Sequence, residues 1–105
     1  MKLLPGSQFP VEAYENYMKQ SVPRWLSTDD AILKGYLALI DKVCPCVIVV
    51  HSQGGNFAFK AALKAPDKIK AIVAVEPSGS PDPAKTDLSA LKAIPHLFVW
   101  GDRLD

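Results

Sequence analysis

Three short runs of this chain are almost wholly apolar: CVIVV (46–50), AIVAV (71–75) and HLFVW (96–100). Each is rich in β-branched or aromatic residues and ends at a turn-forming or polar residue, which predicts a strand. None alternates polar with apolar, so each is expected to be covered on both faces, as in a parallel sheet. The segments between and before them carry a helical period instead. VEAYENYMKQSV (11–22) places Val11, Tyr14, Tyr17, Met18 and Val22 near one stripe, predicting a short helix stopped by Pro23. STDD (27–30) reads as a helix start, with Ser27 or Thr28 as N-cap and two acids in the first turn. The stripe that follows is Ile32, Leu33, Tyr36, Leu37 and Ile40, and Pro45 forbids its continuation. A further helix is predicted over 56–65, closed by Pro66-Asp67. PSGSPDPAKTD (77–87) reads as loop, DLSALKAI as a short helix, and residues 1–10 as loop.

This order predicts an α/β fold: βαβαβ over 46–105, with three parallel strands and right-handed crossovers. The length suits one domain and is too short for two. In such sheets ligands gather at the carboxyl ends of the strands. Ser52, Glu76 and Asp102 each follow directly on one of the three apolar runs. That coincidence is the main functional clue.

Composition removes other classes. The chain is 49% hydrophobic and 22% charged with a formal net charge of +1, so neither nucleic acid nor an anionic membrane is an expected partner. No window holds the ~18 consecutive apolar residues of a membrane span. MKLLPGSQFP lacks the apolar core of a secretory signal, and the compartment stays open. Cys44 and Cys46 flank Pro45. A bridge across one residue is geometrically disfavoured, and two thiols fall short of the roughly four ligands of zinc. They are expected as small buried residues at a strand entrance. No metal is expected, and no G-x-G-x-x-G or P-loop pattern asks for a nucleotide.

HSQGG (51–55) carries the chemistry. A strand that turns at once into a helix thrusts one side chain out at the apex, and small residues must flank it. Gly54 and Gly55 fit the later half of G-x-S-x-G, whereas Val50 stands where its first glycine would be. The Gln53 amide, at the helix start, is placed to donate to an oxyanion. A plain strand-to-helix turn is the competing reading. A serine nucleophile needs a base, normally a histidine held by a carboxylate. His51 neighbours Ser52 on the strand and so points to the other face, and His96 begins its strand at the far end. Both read as structural, leaving a nucleophile and candidate acids without a general base.

PGSQFPVEA with VPRWL, then HSQGG, AIVAVEPSG and IPHLFVWGD, together resemble the α/β-hydrolase superfamily. More narrowly, they resemble bacterial serine esterases whose catalytic acid is a glutamate after strand six. The resemblance covers most of this chain but only part of the fold, which commonly runs roughly 200–250 residues. It implies the central part of that fold: a helical insert or cap and the helix before the nucleophile strand over 1–45, and the core over 46–105. It implies Ser52 as nucleophile, Glu76 as acid, Gln53 as an oxyanion donor, and a histidine beyond Asp105. Many members place the acid after strand seven, where Asp102 and Asp105 stand as alternatives. Phe9, Tyr14, Tyr17 and Trp25 in the insert are candidates to line the acyl or alcohol pocket, or simply to pack the insert.

The implied activity is carboxylic ester hydrolysis through an acyl-enzyme on a small-molecule ester, with no cofactor. Two alternatives accompany it: an inactive truncated or split chain, and a non-catalytic binding module on the same scaffold. Exposed sheet edges suggest association with a complementary segment or a second copy.

Overall fold

The computed structural model describes residues 3–23 and 25–102. Strands β1 (Cys46–His51), β2 (Ile69–Val75) and β3 (His96–Val99) form one sheet in the order β1-β2-β3. Both pairings are parallel, with His51 opposite Val75 and Val75 opposite Val99. The three α-helices are α1 (Tyr14–Met18), α2 (Asp29–Val43) and α3 (Gly54–Lys64). The first is shorter than the sequence period predicts. Val11–Ala13 is a 3-10 turn, and α1 buries no residue, so no packed face supports a longer helix. Thr28 occupies the N-cap of α2, yet its hydroxyl donates back to the Trp25 carbonyl at 2.7 Å rather than accepting from the helix. The predicted helix near residue 88 is a 3-10 turn, Ser89–Leu91.

The core lies on one side of the sheet. Phe59, Ala58, Ala61 and Ala62 of α3 pack on Val50, Ile72 and Ala74, with Ile40 of α2 and Leu91 and Ile94 of the last connection completing the cluster. Alanines on the inner face of α3 let its backbone approach the strands closely. The expectation of strands covered on both faces fails for a topological reason. Strands added in one direction by right-handed crossovers receive both connections on the same face. The opposite face is bare: Val47 is 56% exposed, Val49 69% and Leu97 57%.

The remaining connection is ordered locally. Asp82 accepts the Ala84 N–H and Asp87 the Ser89 N–H, each at 2.9 Å, two Asx-turns in a proline-rich loop. The Ser89 hydroxyl and N–H beside Asp87 hold its carboxyl below the ordinary range, as the Lys68 ammonium does for Asp41. Both acids are exposed. A lowered native pKa stabilises above the unfolded value and is lost as pH falls through the lowered one, so these contacts contribute at neutral pH and are lost only in acid.

Cys44 and Cys46 are joined as a disulfide, against expectation, with Cα atoms 4.4 Å apart and a cis peptide at Cys44–Pro45. That separation is at the lower end of the disulfide range. Among the described residues no helix is long and apolar enough to cross a membrane.

The accessible surface is 8103 Å², against about 5,800 Å² for a compact monomer of this mass. The radius of gyration is 17.7 Å, where about 13 Å suits a compact domain of this length. The bare sheet face and the outlying N-terminal segment account for the excess. The 105-residue chain on its own is therefore expected to self-associate in sedimentation velocity; a sharp monomer boundary with a cooperative melt would contradict this.

Candidate active site

β1 ends at His51 and α3 begins at Gly54, so the chain turns within two residues, Ser52 and Gln53. Ser52 has φ 50, in the left-handed region, a conformation that costs a non-glycine residue of order 1–3 kcal/mol. Its surroundings fix it there. The Ser52 N–H donates to the Val75 carbonyl at 3.1 Å, and the Ser52 carbonyl accepts from Gly55 at 3.1 Å and from Ser78 at 2.9 Å. The residue is exposed at the rim. Glu76 repeats the pattern one strand over. It has φ 41, its N–H donates to the Val99 carbonyl at 2.8 Å, and its Oε1 accepts the Gly101 N–H at 2.9 Å. The two left-handed residues are thus neighbours at the carboxyl edge of the sheet, joined through backbone bonds to residues 75–78.

The two turns also interlock sterically. A Cβ on Gly55 would stand 2.6 Å from the Pro77 Cβ, and both residues are buried. Gly54, which the sequence pattern marks as equally required, is not: a Cβ there would make ordinary contacts at 3.5 Å with Tyr36 and Val50. Val50, which stands where the pattern has glycine, is buried in the core, and its side chain leaves ordinary van der Waals room for a Cβ at position 54. Gly55→Ala should therefore destabilise by about 1–3 kcal/mol, the usual cost of overpacking, while Gly54→Ala should be close to neutral. A urea midpoint unchanged by Gly55→Ala would refute the interlock.

Gln53 takes the N-cap position of α3 with φ −58 and ψ −29, at the positive end of the helix dipole. His51 is the exposed last residue of β1. His96 opens β3, opposite Ile72, and clusters with Phe59 at 5.9 Å and Phe98 at 6.3 Å. It is three residues, about 10 Å, from the strand's carboxyl end. Asp102 is exposed in the bend after β3, and Asp105 lies outside the described residues.

Phe9 packs edge-to-face on Tyr14 at 6.2 Å and Tyr17 at 5.6 Å, while Trp25 is exposed. Among the described residues no ring contact or hydrogen bond joins these four to Ser52 or Glu76. A groove of about 450 Å³ is lined by Phe59, Leu88, Leu91, His96 and Phe98 among others, and another of about 360 Å³ lies between α2 and β1; neither includes the four aromatics. No cluster of three or more metal-ligating side chains converges among the described residues. Sequence reasoning missed Gly101 and Ser78 as partners of the rim, and the close approach of Pro77 to Gly55. The dipeptide Gly101-Asp102 reads only as a turn, and no spacing signal sets position 101 beside position 76.

A family model of the alpha/beta hydrolase fold matches residues 42–104, and this chain belongs to that family. It is similar to a solved structure described as a novel bacterial esterase, at 36% identity and a TM-score of 0.69, over 98% of this chain and 33% of that one. It is also 33% identical over 54 residues to a probable secreted lipase, phiG, of a fungal species (strain ATCC 74256), covering 51% of this chain and 15% of the relative. The chain thus spans about a third of the esterase and less of the lipase.

Proposed function

We propose that this chain is the nucleophile-and-acid part of a serine esterase. Ser52 Oγ attacks the carbonyl carbon of a small ester while an imidazole takes its proton. The Gln53 amide and the α3 dipole stabilise the oxyanion. The imidazole then protonates the departing alcohol, and a water molecule, deprotonated by the same base, releases the acid and restores Ser52. Glu76 holds the imidazole in the right tautomer and supports its charge. The imidazole and a second oxyanion donor come from chain beyond the residues described.

The observation that carries this reading is the pair of left-handed residues, Ser52 and Glu76, adjacent at the ligand end of the sheet. A catalytic serine at a strained strand-to-helix turn is the signature of this family's nucleophile, and strain kept at two neighbouring polar residues fits function better than folding. Similarity to an esterase and a lipase supports the same reaction class.

A second reading concerns the 105 residues alone: without a further segment they are inactive. The bare sheet face and the distance of His96 from the rim support it. The test is hydrolysis of p-nitrophenyl esters. The complete protein should turn them over and the isolated chain should not. Turnover by the isolated chain that Ser52→Ala abolishes would overturn the second reading, and a complete protein inert to esters would overturn the first.

A further inference from the structure

We infer that Gly101 is a positioning residue for the carboxylate of Glu76. This rests on the proposed role of Glu76 and extends it to a residue outside the catalytic set. The end of β3 grips Glu76 at two points. The Val99 carbonyl accepts the Glu76 N–H at 2.8 Å, and two residues on the Gly101 N–H donates to Oε1 at 2.9 Å. The first bond holds the left-handed backbone at position 76. The second turns the side chain across the end of β3 and occupies one carboxylate oxygen. The other oxygen, Oε2, is thereby directed to the task the reaction requires, accepting the N–H of an imidazole. An acid free to rotate would present either oxygen in many directions and lose that orientation.

Glycine at 101 has a steric reason. A Cβ built there would lie 2.7 Å from Glu76 Oε1, closer than real contacts allow. The atom it meets is the movable end of a side chain, so the glutamate gives way rather than the backbone. Gly101→Ala is accordingly a way to displace the carboxylate while removing neither the carboxylate nor the N–H. Position 101 carries no left-handed φ, so alanine adds no backbone strain of its own.

The test is a double-mutant cycle on the complete protein, with p-nitrophenyl ester turnover and the rate of fluorophosphonate labelling as readouts. Gly101→Ala should lower kcat by about 10²-fold, the scale of an ångström-sized misplacement, with KM unchanged. In a Glu76→Ala background the same substitution should change kcat by less than about twofold, because its effect passes through the missing carboxylate. If Gly101→Ala also lowers the melting temperature or yield, Glu76→Ala in the same chain should restore it by removing the clashing oxygen. Equal losses in both backgrounds, or full activity of Gly101→Ala while Glu76→Ala is inactive, would overturn the inference alone. Full activity of Glu76→Ala would instead overturn the role of Glu76 itself.

Discussion

Ser52→Ala in the complete protein should lower kcat for a p-nitrophenyl ester by about 10⁶-fold, the scale on which nucleophile loss acts in serine hydrolases. The size follows from the geometry. Ser52 is the exposed side chain at the apex between β1 and α3, and without its oxygen no acyl-enzyme forms. What remains is hydrolysis by water helped by the oxyanion donors alone. The same position makes an independent prediction about stability. Ser52 has φ 50, which glycine adopts without penalty and alanine does not. Ser52→Gly should therefore raise the melting temperature while Ser52→Ala leaves it nearly unchanged, and both should be inactive. Such opposition between stability and activity is expected where strain is stored for function. Retention of even a tenth of the activity in Ser52→Ala would place the nucleophile elsewhere.

The second large effect is expected at Glu76. Glu76→Gln keeps the size of the side chain and an oxygen to accept the Gly101 N–H, but it offers an amide where an imidazole needs a carboxylate. A loss of about 10⁴-fold in kcat is the scale for neutralising the acid of a serine triad. Asp102→Asn, in the exposed bend three residues beyond β3, should stay within about twofold, as surface changes do. The contrast decides between the two strand ends that the sequence leaves open. Loss on Asp102→Asn with activity kept on Glu76→Gln would move the acid to the end of β3.

The fold was largely legible because its signals are local. Four β-branched residues in CVIVV, the alternation of strand and helix periods, and the glycines after Ser52 are properties of neighbours in sequence. They locate β1, α3 and β2 to within two residues. The bare face was not legible, since an apolar run looks the same whether a helix covers one side or both. Residue 47 faces solvent and residue 48 the core, yet both are β-branched. The disulfide was not legible because the spacing of Cys44 and Cys46 does not reveal that the backbone brings their Cα atoms to 4.4 Å. At the rim, the polar residues following each strand were visible. The long-range facts were not: that Pro77 needs Gly55 bare, and that Gly101 supports Glu76, depend on how the strand ends are set side by side. Phe9, Tyr14 and Tyr17 had two readings from sequence, and the structure finds them packed on one another.

The most direct test of the account is the site of covalent modification. The complete protein is treated with a fluorophosphonate, digested, and the adduct located by tandem mass spectrometry. The account predicts a single modified residue, Ser52, in the peptide holding His-Ser-Gln-Gly-Gly, with no adduct after Ser52→Ala. Modification at Ser78, Ser80 or any other serine, or none while ester turnover continues, would contradict it.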